Sequence, residues 1–182
     1  FCIVQATVYH TDHALIFDVL SRLPKDRVRA VAVIEEDVTD AELQRMHDAG
    51  FRGARFNFQK KFGLVPTFSA FHKLVERISA MGWFAKVFVG PAELPEVAPE
   101  LAKTSATTVL DHMCRLDFSL GVDQPMLKYL LEVLKREQTW VMLSNGHRSS
   151  VQGAPWDDAV PFGQALFRAA PDRCIWGTDW PH

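Results

Sequence analysis

Seven short apolar runs recur along this chain, each separated from the next by a segment of helical period, and this alternation constrains the fold more than any other feature. The runs lie at 2–7, 28–34, 53–58, 84–89, 106–111, 139–144 and 173–177. All are rich in β-branched or aromatic residues, as strands require. Helical segments are expected at 12–22 behind Asp12, at 39–49 behind a Thr39-Asp40-Ala41-Glu42 capping pattern closed by Gly50, and at 67–81 closed by Gly82. Three more are expected at 92–103, 124–136 and 157–170; Pro95 and Pro99 weaken the first, and Pro161 suits the first turn of the last.

Strands that alternate with helices in this way must run parallel, because a helical crossover returns the chain to the same end of the sheet. An open doubly wound sheet and a (β/α)8 TIM barrel both satisfy the pattern. Even spacing favours the barrel, and so does the recurrence of polar residues at the C-terminal end of strand after strand. The expected fold is therefore α/β, a (β/α)8 barrel with about seven strands present. The expected domain is a single one over 1–182, incomplete at both ends, lacking the first strand and the last helix.

Those strand ends collect the residues that could do chemistry: Gln5, Thr7 and Tyr9; Arg55, Asn57, Lys60 and Lys61; Asp111, His112 and Arg115; Ser144, Asn145, His147 and Arg148; Asp179 and His182. Two acid/base candidates among several cations suit a small, negatively charged substrate. Asp179, delivered by Ile175-Trp176-Gly177-Thr178 and followed by Trp180 and Pro181, is the best candidate base; its plain alternative is a turn aspartate bonding its own backbone. His112 could polarise a carbonyl, shuttle a proton, ligate a metal or be structural. Asp111 reads as a strand-end residue supporting it. Arg55 stands on a strand of small and aromatic residues, an awkward place for a solvated charge, whereas Arg115 and Arg148 lie in strand-end loops where a planar fork can bind a carboxylate. His10, His13, His47 and His72 read as loop or helix-surface histidines, and none forms an HxH or HExxH pair, so the chain does not assemble a metal site by itself.

Composition enters by exclusion. A formal net charge of −2 offers no cationic surface for nucleic acid, and no apolar run approaches the roughly 20 residues of a membrane span. The opening Phe1-Cys2-Ile3-Val4 lacks the basic start of a signal peptide. Cys2, Cys114 and Cys174 are odd in number and widely spaced, which suggests neither a zinc clip nor a disulfide framework and points to the cytoplasm. Cys2 and Cys174, in strand-like runs, are expected to be small buried hydrophobes, whereas Cys114 falls in a loop beside charged residues.

The segments Gly53-Ala54-Arg55-Phe56-Asn57, Leu110-Asp111-His112-Met113-Cys114-Arg115 and Ile175-Trp176-Gly177-Thr178-Asp179-Trp180-Pro181-His182 together resemble the amidohydrolase-2 branch of the amidohydrolase superfamily, nearest to its 2-pyrone-4,6-dicarboxylate lactonase-like hydrolases. Val4-Gln5-Ala6-Thr7, Pro155-Trp156-Asp157-Asp158 and Ala170-Pro171-Asp172-Arg173 extend the resemblance over almost the whole chain. It implies a distorted barrel whose first strand, expected before Phe1, carries a His-x-His pair. It implies a cytoplasmic hydrolase of aromatic catabolism that opens a small carboxylated lactone or similar carbonyl compound. Asp179 would be the base, His112 the residue orienting the carbonyl or water, and Arg55, Arg115 and Arg148 the carboxylate binders; Lys61, Tyr9 and Asn57, from the strand ends, complete the expected substrate-binding set. In the lactonases no metal is needed. In metal-dependent relatives, hydrolases or non-oxidative decarboxylases, His112 and Asp179 would help to hold one divalent ion, zinc or manganese. A non-catalytic barrel subunit is the third reading. The expected partner is a small anionic substrate, with neither nucleic acid nor membrane, and a homo-oligomer is left open. The sequence departs from the family at Cys114 and Leu116, where glycine and proline are usual, at Lys61 in place of an arginine, and at Phe88 in place of a tyrosine.

Overall fold

The computed structural model describes residues 1–62 and 65–180. Pro181 and His182, the end of the terminal motif, lie outside the described residues. All seven expected strands form: β1 (Cys2–Val4), β2 (Arg29–Val33), β3 (Phe51–Asn57), β4 (Phe84–Phe88), β5 (Thr108–Leu110), β6 (Thr139–Leu143) and β7 (Cys174–Trp176). The helices are α1 (Ala14–Arg22), α2 (Asp40–Ala49), α3 (Phe68–Ala80), α4 (Leu94–Ala102), α5 (Pro125–Val133), a short α6 (Gly146–Ser149) that periodicity did not predict, and α7 (Val160–Ala169). The chain divides into two compact units, Phe1–Lys86 and Val87–His182, with the division inside β4.

In the first unit β1 pairs parallel with β2, and β2 with β3, with a register shift between Ala30 and Val31. Local signals act where the sequence places them. The Thr39 hydroxyl accepts the Glu42 N–H at the start of α2, and Gly50 ends that helix at φ 118°, a conformation a side chain would strain. Asp12 Oδ1 accepts the Ala14 N–H at the start of α1. Gly53 is needed for a different reason: a Cβ there would stand 2.9 Å from the Phe84 ring. Around these strands α1, α2 and α3 bury Ile16, Leu43, Met46, Phe71 and Ile78, the apolar stripes that the helical period marks out.

In the second unit β5 pairs parallel with β6, and β6 with β7. Leu101, Leu127, Leu130, Phe162 and Leu166 supply its core from α4, α5 and α7. Two arginines tie the strand entrances. Arg173 Nη1 donates to the carbonyls of Leu134, Arg136 and Thr139, and Arg136 donates to the carbonyls of Thr104 and Ala106. These satisfy backbone acceptors that loop geometry leaves open, so the N-terminal ends of the strands are stitched and the C-terminal ends are left for chemistry.

Several expectations are corrected. Cys2 is exposed and Cys174 only half-buried, because each lies on the outermost strand of its unit, whereas Cys114, expected in a loop, is fully buried. His13 is a core residue rather than a surface one: it is 4% exposed, its Nε2 accepts the Val33 N–H at 3.2 Å, and its ring meets Phe51 edge-on. His47 is likewise engaged, accepting the indole N–H of Trp83 at Nδ1.

Candidate active site

The second unit gathers its chemistry at the C-terminal ends of β5, β6 and β7. Beyond Leu110 the chain enters a turn in which His112, Met113, Cys114 and Arg115 all take φ between 51° and 53°. Four successive non-glycine residues in the left-handed region are costly, at roughly 1 kcal/mol or more each, and persist only where packing imposes them. Here burial of Met113, Cys114 and Leu116 does so. From this turn both His112 and Arg115 come within reach of Asp179. One strained turn thus delivers an imidazole and a guanidinium together.

His112 is 6% exposed and has a neighbour on every side. Its Nδ1 lies 2.9 Å from Ser144 Oγ at the end of β6 and 3.5 Å from Asp111 Oδ1. Its Nε2 lies 3.5 Å from Asp179 Oδ1, and its ring meets that of Phe88 edge to face at 5.4 Å. The Asp179 side chain is 28% exposed, so water reaches the carboxylate that the buried imidazole faces. Asp179 itself takes φ 56°, the second place where the site uses left-handed backbone.

Arg115 is half-buried, and its pKa is lowered first by that burial and then by the charge of Arg148, while Asp179 opposes the shift. Arg115 therefore feels both the like charge of Arg148, exposed on α6, and the carboxylate of Asp179, and an anionic ligand would relieve the repulsion between the two arginines.

The remaining predicted site residues belong to the first unit. Arg55 and Asn57 line a cavity of about 250 Å³ with Thr7, Ile34, Glu35 and Thr67. Arg55 Nη1 reaches the Gln5 carbonyl only at 3.5 Å; Asn57 Oδ1 accepts the Gln59 N–H, and its buried Nδ2 meets no hydrogen-bond partner among the described residues. Lys61 is exposed on a short turn, and Tyr9 is 56% exposed. Gln5, a candidate for the mouth, is buried and uses its amide to hold the loop carbonyls of His10 and Asp12.

Sequence reasoning named Asp179, His112, Arg115 and Arg148, and the second unit brings them together. It did not join Ser144 or Phe88 to His112. A polar residue ending a strand was the available signal for Ser144, but which strand end faces which is a matter of register.

The family model for amidohydrolases of the Amidohydro_2 type matches residues 2–182, and the chain belongs to that family. It is 34% identical to a 2-pyrone-4,6-dicarboxylate hydrolase of Comamonas testosteroni over 99% of this chain and 62% of that protein. It is 31% identical to a 4-sulfomuconolactone hydrolase of Hydrogenophaga intermedia over 98% of this chain and 59% of that protein. The chain therefore spans about three fifths of the length of these curated relatives. A crystal structure from Pseudomonas putida assigned as a 2-pyrone-4,6-dicarboxylic acid hydrolase matches with a TM-score of 0.86 and 31% identity, over 98% of this chain and 66% of that one. The shared fold is the α/β barrel class, of which seven strands lie among the described residues of this chain. An amidohydrolase from Burkholderia multivorans solved with bound zinc shares the fold at a TM-score of 0.79 and 19% identity, over 99% of this chain and 68% of that one. Among the described residues of this chain no three His, Cys, Asp or Glu side chains gather as a metal site. His112 Nε2 and Asp179 Oδ1, both donor types that zinc takes, stand 3.5 Å apart.

Proposed function

We propose that the protein is a hydrolase that opens a small carboxylated lactone, with Asp179 as general base. The observation that carries this reading is the Asp179 carboxylate, open to water, held 3.5 Å from the buried His112 imidazole and within the field of Arg115. Asp179 takes a proton from water as the oxygen attacks the lactone carbonyl. The tetrahedral oxyanion is stabilised by the neighbouring cations and by His112, and collapse breaks the ring C–O bond while the proton returns from Asp179 to the leaving oxygen. One water is consumed and a hydroxy acid results.

Arg115 and Arg148 bind the substrate's carboxylate through charge-assisted hydrogen bonds. On the first unit, Arg55, Asn57, Lys61 and Tyr9 are proposed as further substrate-binding residues, supported for Arg55 and Asn57 by the cavity they line and by the unmatched Asn57 amide. The names of the two lactone-hydrolysing relatives support the substrate class. We place the protein in the cytoplasm, a reading supported by three cysteines that are all free thiols. No described helix is long and apolar enough to cross a membrane.

The test is turnover of a panel of carboxylated lactones by the full-length protein and by its Asp179→Asn variant. Hydrolysis by the wild type that the substitution abolishes supports the reading; unchanged turnover in Asp179→Asn removes it. Elemental analysis belongs with this assay. His112 and Asp179 are the donors this chain would contribute to a divalent ion, zinc or manganese, which would activate a bound water. A stoichiometric metal whose removal abolishes turnover would replace the unaided base.

A further inference from the structure

We infer that Ser144 is a positioning residue for His112, fixing which edge of the imidazole faces Asp179. An imidazole flipped about its Cβ–Cγ bond has nearly the same shape, so packing alone holds the plane of the ring without choosing between the two flips. Phe88, edge to face at 5.4 Å, is such a plane-setting contact. Charge favours the observed flip, since turning the ring would put carbons where Nδ1 faces Asp111 and Nε2 faces Asp179, but both carboxylates stand at 3.5 Å, beyond a good hydrogen bond.

The Ser144 hydroxyl adds the short contact that the carboxylates do not make. At 2.9 Å it is within hydrogen-bond distance of Nδ1, while both carboxylates stand farther off. A flip would turn a ring carbon toward the hydroxyl in a place where neither residue has water to fall back on, since His112 and Ser144 are both at most 6% exposed. Ser144 acts through His112 and is 32 residues away in sequence, on the neighbouring parallel strand, so β5–β6 register is what brings the pair together.

This inference rests on the hydrolase reading for its kinetic test and on the ring itself for an independent one. In the full-length enzyme, Ser144→Ala is expected to lower kcat about tenfold, the equivalent of one lost hydrogen bond in a buried site, with KM within about twofold of wild type. Ser144→Thr, which keeps the hydroxyl, is expected to retain most of the turnover. In parallel, 15N spectra of the His112 ring should show the Nδ1 signal moved in Ser144→Ala and kept in Ser144→Thr.

Wild-type kcat together with unmoved ring signals in Ser144→Ala would overturn the inference. If the wild type hydrolyses no lactone, the hydrolase reading fails, and the ring spectra still decide the role of Ser144. Should Ser144→Ala not fold, a wild-type Nδ1 signal with no hydrogen-bond shift overturns it just as well.

Discussion

Two histidines of this chain are almost equally buried and do opposite things. His13, at the start of α1, accepts a backbone N–H from Val33 and lies edge-on to Phe51. His112 lies between two carboxylates and a hydroxyl, on a turn of left-handed backbone. His13 sits at an unstrained φ of −97°, whereas His112 sits at 51°. Burial therefore says little about a histidine's role. What separates the two is whether the neighbours need its proton chemistry, and whether the backbone carries strain to present it.

The largest effect that could break this contrast lies with the partner of His112. Asp179→Asn keeps the shape and removes the proposed base, so turnover in the full-length enzyme should fall about a thousandfold, with the urea midpoint little changed. His112→Asn should follow at about a hundredfold in kcat. His13→Ala should do the reverse: it removes the acceptor of a buried N–H and costs about 2 kcal/mol of stability, while kcat per folded molecule stays at the wild-type value. Activity lost in His13→Ala without a change in the unfolding curve would erase the distinction.

A smaller effect comes from pH. Burial holds the His13 pKa below its ordinary value of about 6.5. Above that pH the residue is neutral in both folded and unfolded chains, and its full contribution is present. As the pH falls below it the unfolded chain takes up a proton that the folded chain refuses, so stability is lost until the folded pKa is passed. The melting temperature of the wild type should therefore drop more steeply as the pH falls below about 6.5 than that of His13→Gln, in which this group no longer titrates. Parallel slopes in the two proteins would show that His13 is not the buried neutral group described above.

The same contrast shows what a sequence can carry. Strand and helix positions were legible because burial writes a pattern into the chain, short apolar runs for the strands and a period of about 3.6 for α3. Asp179 and His112 were legible because polar residues break that pattern at strand ends, and their neighbouring motifs resemble a known family. His13 was not, since nothing in the residues around it says that its ring replaces a carbonyl as the acceptor for Val33. Ser144 was visible as a strand end, but its partner was set by the pairing of β5 with β6, which no local pattern specifies. The left-handed turn was hidden for a further reason. Its residues are ordinary, and where the resembled family has glycine this chain has Cys114.

That position yields the smallest and sharpest test. Cys114 is fully buried at φ 52°, so two terms compete when it is changed. Cys114→Ala loses the packing of the thiol and keeps the left-handed strain. Cys114→Gly loses slightly more packing but removes the strain, worth roughly 1 kcal/mol. Gly should therefore be more stable than Ala here by about 1 kcal/mol, the reverse of the order found in ordinary helix, where Ala leads by a similar amount. Urea unfolding of the two variants of the full-length protein measures the difference directly. The opposite order would mean that the turn presenting His112 is relaxed, and that the backbone contrast with His13 does not exist.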